Sequence, residues 1–132
     1  MAVGAYDATM PLTRLDHYNV STSKPEETLR FYCEGLGMVN DPSRRPDFPV
    51  PGAWLFVGDD PLVHVVFVED DPGAPTGPLD HVAFDATDRD GICERLDGVD
   101  AQYKIVEHPS GAFSQVFVRD PNGVLVEINV KG

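Results

Sequence analysis

Two histidines stand at equivalent points of a repeated motif. The triplet Leu-Asp-His occurs at residues 15–17 and again at residues 79–81. Each copy stands at the head of a strand-like run that is followed by a helix-like run, which indicates an internal duplication. His17 and His81 therefore occupy the same position in two copies of one structural unit.

A third histidine and a glutamate correspond in the same way. His64 follows Phe56-Val57-Gly58-Asp59, and Glu127 follows Phe117-Val118-Arg119-Asp120, so each lies in the last strand of its copy. If an approximate two-fold axis relates the copies, residues near that axis converge from both. The duplication therefore predicts one cavity that contains four side chains: His17, His64, His81 and Glu127.

These four side chains have the chemistry of a metal site. Three imidazoles and one carboxylate, without a thiolate, suit a divalent transition metal such as Fe, Mn, Ni, Co or Zn. A metal with open coordination positions polarises substrate oxygens or binds dioxygen. A purely structural role is the main alternative for His64, because a single histidine in a strand is usually a hydrogen-bonded structural residue. That alternative is weaker for Glu127, since burying an unpaired carboxylate is costly.

Hydrophobic periodicity predicts the elements that would position these residues. The predicted elements are strand 14–22, a capping box at 23–26 with a helix to residue 35, strands 53–57 and 62–68, a linker at 69–78, strand 79–85, helix 88–97, and strands 101–107, 113–119 and 124–130. Module 2, at about 79–130, has the order βαβββ, and module 1, at about 12–68, is interpreted as a copy of the same βαβββ unit. The sequence therefore predicts an α+β fold, as a single domain over residues 1–132.

Strand alternation places the candidate ligands on one face of each sheet, because successive side chains point to opposite sides. In the last strand Val126 and Ile128 share one face, whereas Glu127 lies on the other. The apolar face requires a helix packed against it, and each copy supplies one. Asp16 and Asp80 fall on the face opposite the ligands, so they are interpreted as solvated or hydrogen-bonded residues at strand ends.

Five further residues are candidates for substrate contact. Trp54 and Phe56 alternate onto one face of their strand and would form an aromatic wall, although aromatic residues more commonly fill a core. Arg45 lies in a Pro-rich loop, where it would hold a substrate carboxylate by a bidentate contact; surface solvation is its alternative role. Tyr103 and Gln115 are pocket candidates by strand parity.

Composition limits the classes of function. The chain of 132 residues has a net charge of −12 and a pI near 4.4. This argues against nucleic-acid binding, because that affinity depends on Lys and Arg displacing counterions from phosphates. No segment approaches the roughly 18 apolar residues of a membrane helix, and residues 1–11 do not resemble a signal peptide. We expect a cytoplasmic protein without membrane attachment, in which Cys33 and Cys93 are free thiols.

Five motifs, taken together in order and spacing, resemble those of a known family. They are LDHYNV at 15–20, LRFY at 29–32, GLGM at 35–38, LDHVAF at 79–84 and FVRDPNGVLVE at 117–127. The chain resembles the vicinal oxygen chelate superfamily, which includes glyoxalase I, extradiol dioxygenases, methylmalonyl-CoA epimerase, and the fosfomycin and bleomycin resistance proteins. The resemblance implies paired βαβββ modules in an open, cupped mixed sheet with helices on the outer face, often completed by a homodimer.

The resemblance also implies that His17, His81 and Glu127 are metal ligands. Glyoxalase I-like members have a proton-shuttling glutamate ligand at the position of His64, so this chain departs from them there. We predict a metal-dependent enzyme for a small organic molecule that offers two adjacent oxygens, or an oxygen able to become an enolate. Glu127 or His64 would move the proton as the catalytic residue.

Two chemistries remain open within that class. Lyase or isomerase chemistry of the glyoxalase type requires a mobile base. Extradiol ring cleavage instead requires ferrous iron held by two histidines and one carboxylate. His17, His81 and Glu127 would supply that triad if His64 is a neighbouring acid or base. The alternative from another class is a metal-independent protein that sequesters a cationic drug or metabolite, as bleomycin resistance proteins do, and the acidity of the chain favours it.

Overall fold

The computed structural model describes residues 11–131 and confirms an α+β fold of two βαβββ modules. Module 1 contains β1 (Tyr18–Thr22), α1 (Pro25–Arg30) with a π-helical continuation (Phe31–Gly35), β2 (Val39–Asn40), a short 3-10 turn (Pro42–Arg44), β3 (Gly52–Val57) and β4 (Asp60–Phe67). Module 2 contains β5 (Val82–Ala86), α2 (Arg89–Gly98), β6 (Tyr103–Glu107), β7 (Phe113–Arg119) and β8 (Leu125–Lys131). The predicted linker has no regular structure. Within residues 11–131, none of the helices has the length and apolar character needed to cross a bilayer.

The strands form two four-stranded mixed sheets, with the orders β1-β4-β3-β2 and β5-β8-β7-β6. In each sheet the first and last strands of the module pair in parallel, and the other neighbours pair antiparallel. Asn19 lies opposite His64 in the first parallel pair, and Ala83 lies opposite Glu127 in the second. His17 and His81 each stand two residues before these partners, so both modules have the same register.

The apolar faces predicted by alternation form the core. Val63 and Val65 of β4 are buried, as are Val126 and Ile128 of β8. One apolar cluster contains all four of these residues, so the two modules share a core. The opposite faces, which carry the candidate ligands, therefore lie on the sides of the sheets turned away from it.

The two helices also meet. Arg30 Nη2 donates to the Gly98 carbonyl oxygen at 2.9 Å, and Arg95 Nη1 donates to the Glu34 carbonyl oxygen at 3.1 Å. A methyl group at Gly35 would lie 3.1 Å from the Val99 side chain, so glycine permits the close approach of the helices. These contacts fix module 2 against module 1 through their helices.

The predicted capping box at residues 23–26 does not form. Helix α1 begins after Lys24 and has no side-chain cap, and the Lys24 backbone N–H instead donates to Thr22 Oγ1 at 2.8 Å. The Thr22 side chain is buried against Thr28 and Asn122, so the end of β1 supplies the acceptor for the Lys24 N–H at the start of the helix. In α2, by contrast, the Asp88 carboxylate accepts from Gly91 N–H at 2.9 Å and caps the helix.

A buried polar network joins the modules. Tyr18 donates to the Tyr32 hydroxyl at 3.1 Å, and Tyr32 donates to Asp120 Oδ2 at 2.9 Å. The other oxygen of Asp120 accepts from the backbone N–H groups of Asn122 and Val124, at 2.8 and 2.9 Å. Burial raises the pKa of both tyrosines, so they remain neutral hydrogen-bond donors. Asp120 is therefore the acceptor on which this junction depends.

Replacing Asp120 by alanine is expected to destabilise the fold by about 3 kcal/mol, because buried donors would lose their acceptor. Asp120→Asn retains one carbonyl acceptor and should cost less. Urea denaturation would give the free energy of unfolding of each variant. Asp59→Ala removes a fully exposed carboxylate and is the control. If Asp120→Ala lowers the free energy of unfolding no more than Asp59→Ala does, the network centred on Asp120 does not stabilise the fold.

Candidate functional site

The four predicted ligands form two pairs, one in each module. The His17 and His64 rings stack with centroids 3.7 Å apart and planes 11° apart. In module 2, His81 Nε2 lies 3.6 Å from Glu127 Oε1. We call these pairs half-site 1 (His17, His64) and half-site 2 (His81, Glu127). The equal registers of the two sheets explain why each module brings its own pair together.

The two half-sites do not share a cavity within one chain, contrary to the expectation from the duplication. Across residues 11–131, no group of three or more His, Cys, Asp or Glu side chains is close enough to hold a metal ion. The reason is the way in which the modules pack. They meet through their helices and apolar faces, as the 6.2 Å approach of the Tyr18 and Phe84 rings shows, and the half-sites lie on the other faces.

Each first-strand histidine is held by the aspartate that precedes it. His17 Nδ1 lies 2.6 Å from Asp16 Oδ2, and His81 Nδ1 lies 2.9 Å from Asp80 Oδ2. An ionised carboxylate only accepts, so each ring donates through Nδ1 and keeps Nε2 free. The hydrogen bond to His17 holds the pKa of Asp16 below its usual range, and the hydrogen bond to Asp80 raises the pKa of His81.

The sequence interpretation assigned Asp16 and Asp80 to solvation or hydrogen bonding at strand ends, but it did not pair them with the histidines. It placed Asp16 and Asp80 on the face opposite the ligands by extending strand alternation through them. His17 and His81 in fact directly precede β1 and β5, so alternation does not hold there. The repeat of aspartate before histidine was the signal that would have revealed the pairing, since it recurs in both modules.

His64 is enclosed between two rings. It stacks on His17 on one side, and on the other the Trp54 ring lies 4.2 Å away with planes 14° apart. Its Nε2 atom is buried and has no hydrogen-bond partner among the described residues. Burial lowers the pKa of His64, with the charges of His17 and Arg45 acting in the same direction. His64 therefore presents a neutral imidazole, the form that coordinates metals and accepts protons.

The donor set fits a divalent transition metal by its chemistry. His17 and His81 have Nε2 atoms that their aspartates leave free, and the Nε2 of His64 is unsatisfied. Glu127 adds a carboxylate that is only 13% exposed, and among residues 11–131 it forms an ion pair with His81 alone. Nitrogen and hard oxygen donors of this kind suit Fe, Mn, Co, Ni or Zn. One chain supplies these donors as two incomplete halves.

The aromatic candidates lie on the face of half-site 1, with one irregularity. Trp54 contacts His64 directly, as described above. Phe56 is buried outside the main apolar cluster, and the Arg44 guanidinium covers its ring at 3.9 Å. The register of β3 against β4 shifts between Leu55 and Val57, so simple alternation fails at Phe56. Phe48, which the sequence analysis did not select, lies 5.8 Å from Trp54.

The two candidates for substrate contact in module 2, Gln115 and Tyr103, lie on different faces of the sheet. Gln115 pairs with Asn129 across β7 and β8 and donates to it at 3.3 Å, on the same face as Glu127. Tyr103 instead pairs with the buried Val118, and its hydroxyl donates to Asp97 of α2 at 2.8 Å. Tyr103 therefore lies on the helix side of the sheet and not beside half-site 2, contrary to the expectation from strand parity.

A 540 Å³ cavity between the modules is separate from both half-sites. Apolar side chains such as Met38, Leu62 and Ile92 line it, and none of the four candidate ligands does. The chemistry of the candidate site is therefore on the open sheet faces and not in this cavity.

Comparison with known proteins identifies the family. The model of the Glyoxalase/Bleomycin resistance protein/Dioxygenase superfamily matches residues 14–128, which include both half-sites. The chain belongs to this superfamily. Glyoxylase I 4 of Arabidopsis thaliana is 31% identical over 132 residues, covering 92% of this chain and 74% of that protein. Metapyrocatechase of Geobacillus stearothermophilus is 31% identical over 75 residues, covering 57% of this chain and 22% of that protein.

The fold of the superfamily is also evident in solved structures. A glyoxalase/dioxygenase from Nostoc punctiforme superposes with a TM-score of 0.75, with 99% of each chain covered and 17% identity. At this identity the likeness concerns the fold alone. It agrees with the two βαβββ modules described above.

The aspartate contacts predict an unusual tautomer for His17 and His81. 15N NMR should show that the neutral form of both rings carries its proton on Nδ1. His108 provides an internal reference, because its Nδ1 accepts from Ser110 N–H at 3.1 Å and its proton must be on Nε2.

Asp16→Ala should move the proton to Nε2 in His17 alone, and Asp80→Ala should do so in His81 alone. Each variant thus serves as the control for the other. The assignment would be wrong if wild-type His17 and His81 already showed the tautomer of His108.

Proposed function

We propose that this protein is a metal-dependent enzyme that acts on a small organic molecule through two adjacent oxygens or an enolisable oxygen. The observation that supports this most directly is the equivalence of the half-sites, each with imidazole nitrogens left free for coordination. Membership of a superfamily that contains glyoxalases and dioxygenases supports it further. The metal would be Fe, Mn, Ni, Co or Zn.

We infer that a homodimer completes the metal site, with half-site 1 of one chain facing half-site 2 of the partner chain. Residues 11–131 of one chain offer two donors on each of two separate surfaces, which is too few for a stable site on either. Leu15 and Leu79, which precede the two histidine motifs, are 79% and 60% exposed at equivalent positions. Apolar side chains exposed beside both half-sites suit a surface that a second copy covers.

A bound divalent metal would stabilise the negative charge that develops on the substrate oxygens. The residues of the chain supply the remaining functions. Asp16 and Asp80 hold the imidazoles of His17 and His81 with Nε2 directed outward. His64 is kept neutral by burial and accepts a proton at Nε2, or Glu127 does so through its carboxylate.

The role of His64 separates the two candidate chemistries. With His64 as the acid or base, His17, His81 and Glu127 form the two-histidine, one-carboxylate set that ring-cleaving dioxygenases require. With His64 as a fourth ligand, fewer positions remain open, which favours lyase or isomerase chemistry. The names of the relatives, a glyoxylase and a metapyrocatechase, include both. Oxygen uptake with a catechol panel after anaerobic loading with ferrous iron would select the dioxygenase.

Sequestration of a cationic molecule is the second candidate function. The net charge of −12 favours it, because an acidic surface attracts cations. Such a binder does not require a set of free metal donors. Retention of small-molecule binding in a protein that takes up no metal would favour sequestration over catalysis.

Complementation between damaged chains tests the shared site. One variant carries His17→Ala with His64→Ala, and the other carries His81→Ala with Glu127→Ala. Each alone should bind no metal, because every site lacks two donors. Co-expression should restore about a quarter of the wild-type metal content, since half of the dimers are mixed and each has one intact site. Elemental analysis after reconstitution gives the metal per chain.

The matched control is co-expression of two differently tagged copies of the first double variant. This mixture should regain no metal, because no combination contains an intact half-site 1. The proposal fails if the wild type binds no metal, or if the complementary pair recovers no more metal than the control.

A further inference from the structure

We propose that the cavity between the modules binds a small alkyl carboxylate, with the hydrocarbon chain among apolar side chains and the carboxylate at Arg95. This site is separate from both half-sites, so the assignment goes beyond the proposed function and does not depend on it. The size of the cavity, the residues that line it and the charge at its edge support the assignment.

The size of the cavity distinguishes it from an ordinary packing defect. Protein interiors are close-packed, and voids larger than a water molecule are few. The volume of 540 Å³ lies within the range of ligand pockets, which is about 300–1,000 Å³. Apolar cavities bind hydrocarbon molecules in preference to water, because the transfer of apolar surface out of water is favourable. The cavity therefore has the dimensions and the driving force of a binding site.

The walls of the cavity belong to the protein core. Met38 of module 1 and Ile128 of module 2 line it and are only 5% and 2% exposed. Phe84 and Ile92 line it as well, and both pack against the core cluster. Val57, in contrast, is 49% exposed, so the cavity is open to solvent where this residue lines it. A hydrocarbon chain that enters beside Val57 contacts side chains that the fold already holds in place.

Arg95 of α2 is the one cation among the cavity-lining residues of the described chain. Its Nη1 donates to the Glu34 carbonyl oxygen at 3.1 Å, which holds the guanidinium beside the end of the π-helical segment. A methyl group at Gly37 would lie 3.3 Å from the guanidinium carbon, so glycine leaves the space that Arg95 occupies. Arg45, which the sequence analysis selected for a carboxylate, lies outside this cavity and donates to the Val50 carbonyl oxygen at 2.8 Å.

The two carboxylates that line the cavity already have partners. Asp85 Oδ1 lies 3.6 Å from Lys131 Nζ. Asp88 caps α2, where the helix dipole stabilises a negative charge. Within residues 11–131 no carboxylate pairs with Arg95, whose partner Glu34 offers only its backbone carbonyl. The guanidinium therefore favours a carboxylate over an ammonium group as the polar end of the ligand.

The Met38 methyl group reports on the cavity directly, because Met38 lines it and the chain contains only three methionines. The protein is labelled with 13C at the methionine methyl groups and titrated with butanoate, hexanoate and octanoate. Loss of one signal in Met38→Leu assigns the resonance, and calorimetry gives the affinities. Octan-1-ol and octylammonium replace the carboxylate by a neutral and by a cationic group.

We expect octanoate to shift the Met38 methyl signal in a saturable way. Affinity should rise about threefold to fourfold with each added methylene, because each one buries further apolar surface. Octanoate should bind about tenfold more tightly than octan-1-ol, since charge-assisted hydrogen bonds are stronger than neutral ones. Octylammonium should bind more weakly than either probe, because its charge has the same sign as that of Arg95.

Two arginine variants test the position of the carboxylate. Arg95→Gln should remove the advantage of octanoate over octan-1-ol while leaving octan-1-ol binding unchanged. Arg119→Gln is the matched control with no expected effect, because Arg119 also donates to a backbone carbonyl, that of Gly123 at 2.9 Å, but lies outside the cavity. Thermal unfolding shows whether each variant is folded.

The comparison of probes uses the wild-type protein, so it decides the assignment even if a variant is unstable. The proposal is overturned if octanoate leaves the Met38 methyl signal unchanged or if chain length has no effect on affinity. It is also overturned if octan-1-ol or octylammonium binds as tightly as octanoate, or if the two folded arginine variants lose equal affinity.

Discussion

The parallel pairing of the first and last strands in each module is the constraint on which the candidate site depends. Asn19 lies opposite His64 and Ala83 lies opposite Glu127, so the same register occurs in both sheets. This register brings a histidine that precedes the first strand next to a polar residue in the last strand. A slip of one residue would turn His64 or Glu127 into the apolar core. Register therefore fixes both the identity and the location of each half-site.

The junction between the modules decides where the half-sites lie. Its contacts connect residues far apart in the sequence, such as Tyr32 with Asp120 and Arg30 with Gly98. They hold the helices and apolar faces together, so the faces with the half-sites remain outside the shared core. The inferred role of a second chain follows from this packing and not from any property of the half-sites themselves.

Local patterns in the sequence were sufficient to predict most of the fold and to select the four residues of the half-sites, but not their division into two pairs. Strand β7 has the predicted bounds, and alternation correctly separated Val126 and Ile128 from Glu127. Alternation failed where a strand was irregular or had not begun, as at Phe56 and Asp16. Two-residue β2 lacks enough residues to show a period. The arrangement of the modules could not be predicted, because it depends on long-range side-chain contacts that leave no periodic trace.

The two half-sites are built on one backbone plan yet differ in formal charge. His64 and Glu127 occupy equivalent register positions, so the first pair is neutral when deprotonated and the second carries one negative charge. Exchange of histidine for glutamate, or the reverse, at either position would change the formal charge of the four side chains together by one unit, without altering a strand. If the proposed metal site forms, divergence at one such position after the duplication would change its metal preference while the scaffold stays intact.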